Sequence, residues 1–271
     1  ALLMKSGTPV ALAVLAALML GFFVGWLNGL IITRLKVNPF ITTLGMMSIL
    51  RGIVLVVTKN NPPTGFPEGF LKLAWGAFLG IPVPIALLVI AIVIADLLLR
   101  NLRYLRQAYF VGSNEEAAAL TGIAVDKVKT FAFAFTGLLA ALAGVIIAAR
   151  GNTIDPNEGT GAELRVIAAV IVGGASLSGG RGTVLGSFLG LLLMQVITTG
   201  LVFINIAPEA QMIAVGLVLI LAAMIDQSGA SLGPRLLSLF TKTRNKKVER
   251  IFNVLLVDRK STRLNSSHRI R

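Results

Sequence analysis

The stretch TPVALAVLAALMLGFFVGWLNGLII, residues 8–32, decides the fold. It runs for 25 residues without an ionisable side chain. At 1.5 Å of rise per residue, roughly 20 apolar residues cross the hydrocarbon of a bilayer as a helix. A backbone in lipid must satisfy its own polar groups, which a helix does internally. Residues 8–32 are therefore a membrane span.

Six further apolar runs follow, over Pro39–Thr58, Ile81–Leu99, Val128–Ala149, Gly161–Ser176, Thr183–Phe203 and Glu209–Ile225. The reading is an all-α, polytopic transmembrane helix bundle with about seven spans. The run at Gly161–Ser176 is short and glycine-rich, which predicts a broken or buried helix, since irregular backbone survives at depth only under cover of protein or water. Composition agrees. Of the 271 residues, 55% are hydrophobic and 14% charged, where a soluble domain carries roughly a quarter charged.

The net charge of +13 would suggest nucleic acid in a soluble protein. Here its distribution reads as topology, and no nucleic-acid partner is expected. Arg34 and Lys36 follow the first span; Arg100, Arg103, Arg106, Lys127 and Lys129 lie between the third and fourth; Arg181 follows the fifth; Arg235, Lys242, Arg244, Lys246 and Lys247 follow the seventh. With seven alternating spans these all fall on one side. The other side carries Lys59, Lys72, Arg150 and Arg165 diluted by Glu68, Asp155, Glu158 and Glu163. The positive-inside rule makes the first side cytoplasmic.

Cysteine is absent and His268 is the sole histidine, so thiolate metal sites, disulfides and histidine catalysis have no material in the membrane region. Gly21, Gly25 and Gly29 recur at every fourth position, as do Gly182, Gly186 and Gly190. Each set lays a smooth strip on a helix face, either for close packing or for lining a movable gate. Asp96 reaches the interface beside Arg100. Arg51 lies mid-span, where a charge must face protein or water; an ion pair, a carbonyl contact and a place on a translocation pathway all fit. Other polar candidates for the pathway are Asn28, Asn38, Thr43, Gln195 and Asn205, with Phe40 beside them, although helix-to-helix hydrogen bonds use the same residue types.

The segment Gly112-Ser113-Asn114-Glu115-Glu116-Ala117-Ala118-Ala119-Leu120-Thr121-Gly122 predicts a short helix on the cytoplasmic face. Asn114 is a good N-cap, and Glu115 and Glu116 stand where the helix dipole favours acids. Ala117, Ala118 and Leu120 favour helix, and Gly122 stops it. Such a helix is either a plain capped interfacial element or a handle for another protein.

The same residues resemble a family pattern. Glu116-Ala117-Ala118, three residues and Gly122 resemble the E-A-A-x-x-x-G loop of ABC-importer permeases. Asn28-Gly29, Pro39-Phe40-Ile41-Thr42-Thr43-Leu44-Gly45 and Arg51-Gly52 are similar to the signature of the ribose and xylose permease group. So are Gly137-Leu138-Leu139-Ala140-Ala141-Leu142-Ala143-Gly144 and the blocks from Glu163-Leu164 to Gly186. The likeness covers about Phe22 to Asp226. It departs before the short helix, where Leu102 and Leu105 replace a family Thr and Gly.

The resemblance implies the permease subunit of a monosaccharide importer in the bacterial inner membrane, not an enzyme. It implies a second permease copy, a separate ATP-binding-cassette ATPase and a periplasmic or lipid-anchored binding protein. ATP and Mg would sit on the ATPase, with no cofactor on this chain, which has no G-x-x-x-x-G-K-[ST]. The coupling element would comprise Gly112, Asn114, Glu115, Glu116, Ala117, Ala118 and Gly122. Gly179-Gly180-Arg181-Gly182 reads as a tight cytoplasmic turn, or as a second ATPase contact. The alternatives are a permease of this type for other small polar cargo (a sugar-like signal, a nucleoside, a branched-chain amino acid), an ion-driven secondary transporter, or a non-transporting scaffold.

Residues 1–227 are expected to form the permease domain, lacking helices that precede Ala1 in the family. Residues 228–259 are expected to form a basic, partly amphipathic cytoplasmic tail along the anionic leaflet. Residues 260–271 read as a non-native tail.

Overall fold

The computed structural model describes residues 2–59, 61–78, 80–207 and 210–226. The expected tails at 228–259 and 260–271 lie outside the described residues. Contacts divide the chain into units Ala1–Leu219 and Ile220–Arg271. Of the second, only the last turns of a helix ending at Asp226 are described.

The described chain is helical almost throughout. A short α1 (Leu2–Lys5) leads into α2 (Val10–Arg34), then α3 (Pro39–Thr58) and α4 (Glu68–Trp75). A two-stranded antiparallel turn, β1 (Ala77–Phe78) with β2 (Ile81–Pro82), opens α5 (Val83–Asn101). Then come α6 (Arg103–Ser113), α7 (Glu115–Leu120), α8 (Val125–Gly151), α9 (Ala162–Val172), α10 (Val184–Phe203) and α11 (Ala210–Asp226).

Five helices are long and apolar enough to span: α2, α3, α5, α8 and α10. The other two predicted spans are shorter. Helix α9 has 11 residues, about 16 Å of length, and is closed by Gly173 and Gly174. Helix α11 is apolar but also below full length. Many large apolar side chains stay exposed, Val56 at 77% and Phe203 at 82%. No residue of α3 or α5 is buried by the described chain. Such a surface suits hydrocarbon and not water.

Packing is organised by glycine. Helix α2 lies against α8 with backbones nearly touching. A Cβ on Gly21 would sit 2.6 Å from the Gly137 carbonyl oxygen, and one on Gly29 would sit 2.7 Å from Thr130 Cα. Gly25 faces Phe133 and Ala134 in the same way. The first glycine ladder is thus a helix-packing strip. Thr33, buried beside it, donates to the Gly29 carbonyl at 2.8 Å and lies 3.4 Å from the Thr130 hydroxyl. A second close pair joins α9 to α10. A Cβ on Gly190 would come within 2.7 Å of Gly173 N, and one on Gly173 within 2.9 Å of Ser187 Cα. Ala168, Ala169, Met194 and Val215 are buried there. Gly182 precedes α10, which begins at Val184 behind the Thr183 cap, so the second strip starts at Gly186.

Besides the four-residue α1, two helices were not expected from the sequence. Helix α4, in what reads as an outer loop, buries Phe70 and Ala74 with Phe66 against Ala148 and Ala149 of α8. Asn152 Oδ1 accepts from Phe66 N at 3.0 Å, and Trp75 Nε1 donates to the Arg150 carbonyl at 3.2 Å. Helix α6 is amphipathic and follows α5 after the extended residue Leu102.

Candidate functional site

The predicted short helix is present as α7, and both of its ends are closed. Asn114 is extended, and its Oδ1 accepts from Ala117 N at 2.9 Å. At the other end Gly122 takes φ +82°. Its N–H donates to Ala119 O at 3.0 Å, and Ile123 N–H donates to Ala118 O at 3.2 Å. This is the paired C-terminal closure that a glycine in the left-handed region permits. Ala118 is buried with Val111 and Val128, and Ile123 packs on them. Glu115 Oε2 bonds Lys129 Nζ of α8 at 2.5 Å. Leu120 projects outward at 90% exposure, and Glu116 is exposed.

Clefts flank α7 on both sides. One, of about 590 Å³, is lined by Arg103, Arg106, Phe110, Asn114, Ala117 and Thr121. The other, of about 750 Å³, is lined by Lys36, Glu115, Glu116, Ala119, Asp126 and Lys127. A third, of about 470 Å³, brings Asp96 and Arg100 near Arg106, Tyr109 and Thr183. Asp96 and Arg100 form an ion pair at 2.7 Å. Among the described residues, loops assigned to the cytoplasm by charge alone therefore meet in space, around α6 and α7.

Gly112 explains itself only in three dimensions. A Cβ there would lie 2.7 Å from Gly180 N. The turn after α9 rests on the end of α6, backbone against backbone: a Cβ on Gly179 would be 2.6 Å from the Gly112 carbonyl oxygen. Gly179 and Gly180 both have positive φ. Tyr109 Oη donates to the Gly182 carbonyl at 3.0 Å. The sequence held a signal for this contact, glycines on both partners, but nothing to pair them.

The residues considered for a pathway are not gathered into one place. Asn38 caps α3, its Oδ1 accepting from Phe40 N at 2.9 Å, and Phe40 is exposed. Thr43 donates to the backbone one turn back. Gln195 Nε2 bonds Thr199 on the same helix at 3.2 Å. Asn205 turns the chain after α10 with φ +56°. Arg51 is half-buried on α3, with no ion pair among the described residues. Asn28 Oδ1 is buried and lacks a hydrogen-bond partner there. None of these lines the clefts beside α7. None lines a separate cavity of about 300 Å³ at the start of α9, whose walls include Thr160, Arg165, Thr198, Gln211 and Met212.

Comparison with known proteins gives a consistent result. The family described as branched-chain amino acid transport system / permease component matches residues 1–223. The ribose import permease protein of Bacillus subtilis is 40% identical over 224 residues, which cover 82% of this chain and 70% of the relative. The ribose import permease protein of Escherichia coli K12 is 40% identical over 218 residues, 79% of this chain and 68% of the relative. The L-arabinose transport system permease protein of the same strain is 37% identical over 200 residues, 74% and 61% of the two chains. No solved structure matches.

Proposed function

The chain belongs to the branched-chain amino acid transport system / permease component family, and from that premise we propose that it forms the membrane pathway of an ATP-driven importer for a pentose such as ribose. It is a transport subunit and not an enzyme, a multi-pass protein of the bacterial inner membrane. The relatives named for ribose and arabinose favour a sugar over an amino acid as cargo.

An importer of this kind works with an ATPase and a binding protein. ATP and Mg are held by the ATPase, which docks on α7, and a second copy of this chain completes the pathway. The carrying observation is the form of α7: six residues closed at both ends, seated on the end of α8 through Ala118 with Leu120 and Glu116 exposed to a partner. Closure of the ATPase pair moves α7 as a rigid piece. The spans attached to it then switch between two packings, which is how a small local displacement becomes a change of access. Arg51 and Asn28 fit a water-filled pathway or a partner subunit, since a charge and an orphaned amide oxygen in hydrocarbon both call for polar cover.

The test is reconstitution of the permease in vesicles with its ATPase and binding protein. Labelled ribose is expected to accumulate only with ATP and binding protein present. Accumulation that ignores ATP and follows a proton gradient would refute the reading.

A further inference from the structure

We infer that the α6–α7 unit drives the α9–α10 hairpin through the glycine turn at 176–183. This rests on the docking of an ATPase at α7 proposed above, and goes beyond it by naming the route of the motion.

Besides α5, which leads into it, the unit touches α8 and the turn, and these two contacts differ in kind. Toward α8 it has side chains: Ala118 and Val111 on Val128, and an exposed ion pair from Glu115 to Lys129. No glycine of the unit is closed against α8, so this contact lacks a backbone-to-backbone lock. Toward the turn the approach is backbone to backbone, with only the short Ser113 side chain beside it. Gly112 lies on Gly179 and Gly180 with no room for a methyl group: a Cβ on Gly180 would be 2.8 Å from Ser113 Cα. Tyr109 fastens the same contact through the Gly182 carbonyl.

The turn itself is stiff. Ser176 N–H donates to Arg181 O at 3.2 Å, and Gly179 N–H to Ser176 O at 3.1 Å. Thr183 caps α10, its Oγ1 accepting from Gly186 N at 3.0 Å. Beyond it, α9 and α10 are locked by the Gly173, Gly186 and Gly190 contacts. A push on α6 therefore reaches both helices without slack. Helix α9 carries it about 16 Å to the cavity walled by Thr160, Arg165, Thr198 and Gln211. Tyr109 is a positioning residue in this scheme, and the cavity is the part reshaped at the far end.

This chain has no cysteine, so with cysteine-free partner subunits spin labels can be placed without background. In the full complex, one permease copy carries Arg103→Cys with Arg181→Cys, or Leu35→Cys with Arg181→Cys. Between nucleotide-free and ATP-bound states the 103–181 distance is expected to hold and the 35–181 distance to shift. A 103–181 distance that changes as much as the other overturns the inference. Tyr109→Phe is expected to raise the ATP hydrolysed per sugar imported about fivefold, the equivalent of one hydrogen bond. Gly112→Ala is expected to raise it further, because it parts the two backbones. An unchanged ratio in both inserted variants also overturns the inference. Failure of the function proposed above looks different: the unmodified complex would import no sugar with ATP.

Discussion

Replacing Gly29 with alanine tests whether close backbone contact between α2 and α8 holds the bundle together. The added methyl would sit 2.7 Å from Thr130 Cα and 3.1 Å from the Thr130 carbonyl oxygen. Carbon atoms rest at roughly 3.5 Å or more, so the helices must part by about 0.8 Å at this point. A gap of about 0.5–1 Å forfeits a quarter to a half of each van der Waals contact it opens. Overpacking of this kind costs about 1–3 kcal/mol. Alanine returns up to about 1 kcal/mol of helix propensity relative to glycine. The net expectation is a loss of about 1–2 kcal/mol, which lowers the melting temperature by about 2–8 °C at this chain length. Gly144→Ala is the control on α8, because a Cβ there meets nothing within 4 Å; it should melt unchanged or slightly higher. The assay is thermal unfolding in detergent, read by the loss of monodisperse protein. Equal melting of Gly29→Ala and Gly144→Ala would refute the packing argument and turn the strip toward lipid.

Other outcomes follow from the same geometry. Asn114→Ala removes the cap on Ala117 N and should cost about 1 kcal/mol of local stability, seen as faster amide exchange in α7 with unchanged exchange in α8. Glu116→Lys should weaken capture of the ATPase while leaving membrane insertion intact; normal co-purification and uptake would count against α7 as the docking element. The Glu115–Lys129 pair is partly exposed, so Glu115→Gln should change stability in thermal unfolding little, by about 1 kcal/mol or less. Arg51→Leu should insert as well as the unmodified protein or better, and should reduce uptake if the guanidinium faces the pathway; full uptake would assign Arg51 a structural place.

The spans were legible because hydropathy is a property of long runs, and residues 8–32 or 39–58 need no partner to be read. Helix α7 was legible for the opposite reason: Asn114 and Gly122 act within a few bonds of their own backbone. What lay between these scales was not. Helix α6 has only a local alternation of Arg103, Arg106 and Gln107 with Leu105, Ala108 and Val111, too short to separate from a charged loop. Helix α4 is defined by Phe70 and Ala74 finding Ala148 and Ala149, residues far along the chain. Gly112 and Gly180 show the same limit, since a missing side chain does not say what occupies its space. The polar residues of the spans were the hardest. Thr43, Ser48, Thr58, Thr136 and Thr198 all donate to carbonyls of their own helices, a use the sequence cannot distinguish from facing a pathway.

One consequence of α7 concerns assembly. Six residues are far too few to hold helical shape by themselves in water, where nucleation alone is unfavourable. The Asn114 cap, the Gly122 closure and the buried Ala118 hold that shape before any other subunit arrives. Docking then orders nothing on this side of the interface, and the entropy loss that weakens the binding of floppy segments is avoided. Under the proposed docking, a shape that is ready before contact lets the grip on this element be specific without being costly.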